Sequence, residues 1–218
     1  ASKLDAPQFI INGINENSGN INLVAVGPLT NIANSIKQDP SIVNKVNSLL
    51  IMGGSWLAGG NITPVAEANI YNDPEAAEIV FKSGLPIIMV GLDVTHKVFL
   101  SQKDIDKLSA LNNSGKFLKK ISNIYMKFYK DTRNMDGCFF HDATAVIAMT
   151  NPELFKYKFA KVYVSQDILT RGQTVVYLKD LKHETSINDN RGFVQVLYDV
   201  ESKKVISEYL KVAENFIH

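Results

Sequence analysis

Three polar side chains, Asn61, Glu67 and Asn69, lie within nine residues of a stretch that carries almost no other charge. Two amides and one carboxylate suit a polyhydroxylated ligand, because each binds one or two hydroxyls with a defined donor and acceptor sense. Turn capping by the asparagines and solvation of Glu67 would explain the same residues. His141-Asp142 is a second candidate, placed where a helix begins after Phe139-Phe140. Either Asp142 caps that helix while His141 packs at its rim, or the carboxylate holds a hard cation such as calcium and the imidazole gives a proton to a leaving group. Gly27, Gly53, Gly54, Gly59 and Gly60 let the backbone bend or approach a ligand, although plain turn chemistry uses glycine in the same way.

The elements that must position these residues alternate. Ile21 to Val26 is a short, apolar, β-branched run ended by Gly27-Pro28, as expected of a buried parallel strand entering a turn. Helical pieces are expected over Thr30 to Ile36 and Ser41 to Asn47, leading to a second strand, Ser48 to Met52. Asn72-Asp73-Pro74-Glu75 carries the cap, proline and acid of a helix start, so a helix should run from Pro74 to Ser83, followed by a strand over Pro86 to Leu92. This order predicts an α/β, Rossmann-like fold with a mostly parallel sheet flanked by helices. Ligands of such sheets bind beyond the carboxyl ends of the strands, so the loops after Val26, Met52 and Leu92 should share one rim.

Further along, Ser101 and Asp104 open a helix, and Ser114 to Lys130 spaces Phe117, Leu118, Ile121, Ile124, Tyr125 and Phe128 along one apolar helical face. Asp142 to Met149 suits another helix. Tyr157 to Val164, Thr174 to Leu178 and Phe193 to Val200 read as strands, and Ser202 to Phe216 as a closing amphipathic helix. No repeat or linker appears, so residues 1–218 are expected to form a single domain.

Composition narrows the partners. The chain has 45% hydrophobic residues, enough for a substantial core, and its 23 Lys+Arg nearly cancel 22 Asp+Glu. No bulk field therefore favours nucleic acid or an anionic membrane. No run approaches the roughly 20 apolar residues that span a bilayer, so the chain is expected to be soluble. The single cysteine, Cys138, excludes an internal disulfide and suits a reducing compartment, which makes cytoplasm the expected location. The chain opens on Ala1 rather than Met, and further sequence is expected upstream.

Five blocks stand in a telling order: Val26 to Ala33, Met52-Gly53-Gly54, Asn61 to Ala77, Val90 to His96, and His141-Asp142-Ala143. Together they resemble the nucleoside hydrolases of the inosine-uridine-preferring type, over nearly the whole chain. The resemblance implies hydrolysis of the N-glycosidic bond of ribonucleosides to ribose and free base, with Ca2+ as cofactor. It implies that Asp142 and the backbone carbonyl of Val26 are metal ligands, that Asn61, Glu67 and Asn69 bind ribose with Met52 lining the sugar pocket, and that His141 helps the base depart. Tyr125 and Tyr129 match a helix that closes over the base. Ala68 departs from the aromatic residue many relatives carry there, which bears on base preference.

The family also carries a DxDxGxDD cluster on an N-terminal strand, supplying most of the calcium shell and the general base. This chain has no adjacent Asp pair, and its one DxD, Asp104 and Asp106, lies in a lysine-flanked helix start where capping explains it. One carboxylate and one carbonyl fall short of the roughly six to eight oxygens calcium takes. The expectation is a domain lacking the family's N-terminal strands and inactive by itself, completed by a companion segment or by other copies in a homo-oligomer. The alternative is a non-catalytic remnant serving as a ribose-binding or assembly module. A generic doubly wound small-molecule binder would explain the element order but not the five blocks.

Overall fold

The computed structural model describes residues 4–178 and 190–215. In chain order its elements begin with α1 (Ala6–Glu16), β1 (Asn22–Ala25), α2 (Thr30–Gln38), β2 (Ser48–Met52), α3 (Ala68–Asn72), α4 (Pro74–Lys82), β3 (Ile87–Val90) and α5 (Leu92–Thr95). There follow β4 (Phe99–Ser101), α6 (Gln102–Leu111), α7 (Asn113–Arg133), β5 (Gly137–Phe139), α8 (His141–Thr150), β6 (Phe155–Val164), β7 (Thr174–Leu178), β8 (Val194–Val200) and α9 (Ser202–Asn215). Two compact units result. One takes in the described residues up to Asp93 and those between Lys156 and Asp199; the other runs from Val94 to Phe155 and from Val200 onward.

The first unit is built on a six-stranded sheet in the order β1-β2-β3-β8-β6-β7. β1, β2, β3 and β8 pair in parallel, and β6 and β7 form an antiparallel hairpin. Parallel strands covered on both faces need continuous apolar runs, and Leu49, Leu50, Ile51, Ile87, Met89 and Val196 are all buried. Ala33 and Ile36 from α2 and Ala77, Val80 and Phe81 from α4 close over the sheet in the same core. Strand three is shorter than its apolar run, because Leu92 already starts α5. The stretch after Asp39 is a 3-10 turn over Pro40–Asn44, with the Asp39 carboxylate accepting from Ser41 N, in place of a longer helical piece.

Helix α1 has no counterpart in the sequence reading. Its signals are nevertheless ordinary: the Asp5 side chain accepts from Gln8 N, Pro7 stands in the first turn, and Ile11 and Ile14 turn one face inward. A buried ion pair also belongs to this unit. Arg191, whose side chain is 3% exposed, donates to Glu78 and to the Val162 carbonyl and stacks over the Tyr163 ring at 3.6 Å.

The second unit pairs β4 with β5 antiparallel and packs α6, α7 and α9 around Leu100, Ile105, Leu108, Met126, Cys138 and Ala213. Ser101 and Asp104 form the capping box expected for α6. In α7 the apolar face is not the one that packs inward. Phe117, Ile121, Ile124, Tyr125 and Phe128 are exposed, and Gly115, Met126 and Tyr129 face inward. The reason is close approach at Gly115, where a Cβ would stand 1.7 Å from the Leu108 carbonyl oxygen, so the glycine face is the one that seats on α6. Helix α9 matches its expected span from Ser202; Phe216 lies outside the described residues.

Candidate active site

The first unit holds the loops at the carboxyl ends of β1, β2 and β3. Ala25 pairs with Ile51 and Met52 with Val90, so the exits of the three strands are level. Val26 leaves β1 with an exposed side chain, and Met52 ends β2 buried. Two glycines here are required. Gly54 has φ +76° with Met89 Cε 2.8 Å from where a Cβ would stand, and a Cβ on Gly60 would meet the Thr63 carbonyl oxygen at 2.1 Å.

Glu67 is the hub of this loop and is 2% exposed, so it is not solvated. Its carboxylate caps α3, accepting from Asn69 N at 2.9 Å and Ile70 N at 3.1 Å, and ties that helix to the end of β2 by accepting from Gly54 N at 3.0 Å. Asn69 Nδ2 donates to the Met52 carbonyl at 2.9 Å. Asn61 Oδ1 accepts from Ala68 N at 2.9 Å. Met52, Glu67 and Asn69 are thus joined by hydrogen bonds, and Asn61 is held beside them through the backbone of Ala68.

These bonds fix the sense of both amides. Because Asn61 uses its oxygen on a backbone N–H, its Nδ2 hydrogens are the group left to a ligand; because Asn69 uses its Nδ2, its Oδ1 is left. The loop therefore offers a donor and an acceptor, the pair that adjacent hydroxyls call for.

Two residues that the sequence reading passed over hold the loop in place. Asp93, 8% exposed, accepts from Trp56 N at 2.7 Å and from Leu57 N and Ala58 N at 2.7 and 3.1 Å. Thr174 on β7 accepts from Ser55 N at 2.8 Å and donates to the Ser55 carbonyl at 2.6 Å. An acid two residues past the glycine that follows β3 is a legible signal for Asp93; nothing marks Thr174.

The second unit holds the remaining candidates. His141 is the first residue of α8, with Nδ1 2.8 Å from Thr95 Oγ1 and Nε2 3.3 Å from the Tyr129 hydroxyl. Tyr129 in turn meets the Tyr125 hydroxyl at 3.3 Å. Burial lowers the His141 pKa to about 4, with the like charges of His96 and Arg133 adding to it. The imidazole is therefore neutral at pH 7.

Asp142 is the second helical residue and does not cap. The cap position is Phe140, which makes no side-chain capping bond. Asp142 is exposed, yet partial desolvation pushes its carboxyl above the ordinary range. Among the described residues no hydrogen bond or ion pair engages it.

Calcium finds no complete shell here. No group of three or more His, Cys, Asp or Glu side chains converges among the described residues. The Val26 carbonyl in the first unit and the Asp142 carboxylate in the second each fall far short of the roughly six to eight oxygens the ion takes, so neither unit by itself fits it. No helix of the described residues is long and apolar enough to cross a membrane.

A family model described as inosine-uridine preferring nucleoside hydrolase matches residues 1–207. The chain is 38% identical over 208 residues to a probable uridine nucleosidase 2 of Oryza sativa subsp. japonica, covering 93% of this chain and 60% of that protein. Among solved structures it is similar to a plant nucleoside hydrolase, with a TM-score of 0.92 at 34% identity, covering 99% of this chain and 68% of that one. It is also similar to a purine-preferring ribonucleoside hydrolase from Gardnerella vaginalis, with a TM-score of 0.88 at 33% identity, covering 98% of this chain and 68% of that one. The chain thus spans about three fifths of the rice protein's length.

Proposed function

Since this chain belongs to the inosine-uridine preferring nucleoside hydrolase family, we propose that it serves the hydrolysis of ribonucleosides to ribose and free base. The observation that carries the reading is the loop in which Asn61 accepts from Ala68 N and Asn69 donates to the Met52 carbonyl, which leaves an amide donor on Asn61 and an amide acceptor on Asn69 for sugar hydroxyls. Glu67 positions both by holding the start of α3 against the end of β2.

Cleaving the N-glycosidic bond develops positive charge on the ribosyl group and negative charge on the base. Fixed amide and carboxylate groups hold the sugar while that charge appears, and a hydrogen-bond donor lowers the cost of the departing base. His141 is the proposed donor, backed by the hydroxyls of Tyr129 and Tyr125. Asp142 and the Val26 carbonyl are the residues proposed to face a calcium ion. The remaining oxygens and a general base would come from outside these residues, so the 218 residues are expected to release no ribose alone. Assembly with a further copy or a companion segment is proposed to cover β1, an outer strand whose Leu23, Val24 and Ala25 are only partly buried.

The test uses inosine and uridine, because the relatives' names point to different bases. The chain alone should give no ribose with calcium present, and a version extended by a DxDxGxDD strand should give calcium-dependent release. In the extended protein, His141→Ala should slow inosine hydrolysis by ~10²–10⁴ and an activated aryl riboside far less, since a good leaving group needs little protonation. Turnover by the unextended chain would overturn the dependence on outside acids. Equal losses on both substrates would make the imidazole structural.

A further inference from the structure

Thr95 ends α5, and its side chain is fully buried. Its hydroxyl lies 2.8 Å from His141 Nδ1, and among the described residues no other group accepts the hydroxyl hydrogen. A buried hydroxyl whose hydrogen lacks an acceptor is costly. An imidazole with one hydrogen carries it on either nitrogen, and the partner of one nitrogen decides the state of the other.

Only one arrangement satisfies both groups. With the hydrogen on Nδ1, the ring would donate to Thr95 Oγ1 and leave the threonine O–H unpaired. With Nδ1 bare, the threonine donates to it and both are satisfied. Nε2 then bears the hydrogen and faces the Tyr129 hydroxyl at 3.3 Å.

We propose that Thr95 is a positioning residue whose hydroxyl donates to His141 Nδ1, fixing the ring in its Nε2–H form with that hydrogen directed to the Tyr129 side. Its catalytic meaning rests on the reading that His141 assists the departing base, because the Nε2 hydrogen is the one a neutral ring can offer such a base in a hydrogen bond. The tautomer itself does not depend on catalysis.

Long-range proton–nitrogen spectra of the histidine-labelled chain at neutral pH read the tautomer directly, with the His141 signals assigned by their loss in His141→Gln. The parent chain and Thr95→Ser should both show predominantly Nε2–H. Thr95→Val, which keeps the shape and removes the hydroxyl, should move the tautomer ratio by ~10-fold toward Nδ1–H, the ratio one net hydrogen bond sustains. A parent ring that is mainly Nδ1–H, or a ratio unchanged in Thr95→Val, overturns the proposal. If Thr95→Val does not fold, the parent and Thr95→Ser ratios still decide it. Equal losses of inosine and aryl riboside hydrolysis in the extended His141→Ala protein would remove the catalytic reading and leave the tautomer result standing.

Discussion

At the residue scale the unusual group is His141, an imidazole held neutral by burial at a helix start. Its folded pKa of about 4 lies below the ordinary 6.5, so between those values the unfolded chain binds a proton that the folded chain refuses. The associated stability is complete above pH 6.5 and is lost as pH falls through the folded value. The expected size is on the order of 2–3 kcal/mol. Urea midpoints should therefore drop between pH 6.5 and 4 more steeply in the parent than in His141→Gln, and the imidazole C–H shift should titrate near 4. A midpoint near 6.5 would show that the ring is solvated. Glu67 makes the complementary point: its carboxylate is buried because three backbone N–H groups receive it.

At the scale of elements, α7 shows that an apolar stripe can mark a helix without marking its inner face. Apolar residues at Phe117, Ile121, Ile124 and Phe128 recur at heptad-like spacing, yet these are exposed, Ile124 by 82%. The inward face is chosen by Gly115 against the Leu108 carbonyl and carries Met126 about three turns later and Tyr129 about four. Ile124→Ser should accordingly change stability by less than about 0.5 kcal/mol, whereas Met126→Ala should cost about 2–5 kcal/mol. Thermal or urea unfolding of the two variants checks this. A larger loss from Ile124→Ser would mean that the outer face is covered in solution. In helix α8, Asp142 looks like a cap and stands two residues past the cap position, Phe140.

For the molecule as a whole, two units each keep a core of their own, and the first depends on contacts between distant segments. Arg191 joins the segment before β8 to Glu78 on α4 and to the Val162 carbonyl on β6. Arg191→Ala removes the cation from Glu78, which keeps its bond from Val164 N, and takes a donor from the Val162 carbonyl, so it should cost about 1–3 kcal/mol, read as a lower urea midpoint in the fluorescence of Trp56, the chain's one tryptophan, which lies in the same unit. A midpoint within error of the parent would make the pair incidental. The order β1, α2, β2, α4 and β3, the strand-end glycines and the family were legible from local patterns, because apolar period, caps and turns act over a few neighbouring residues. So was the cluster of Asn61, Glu67 and Asn69 as a polar loop. The sequence could not say that Glu67 would be buried, that the two asparagines would present opposite hydrogen-bonding groups, or that Asp93, Thr95 and Thr174 would support the candidate residues. Those facts are pairings of buried polar groups between segments as far apart as Ser55 and Thr174. Which donor meets which acceptor is decided only when the backbone closes and water is excluded, since each buried group must then find a partner within about 3 Å.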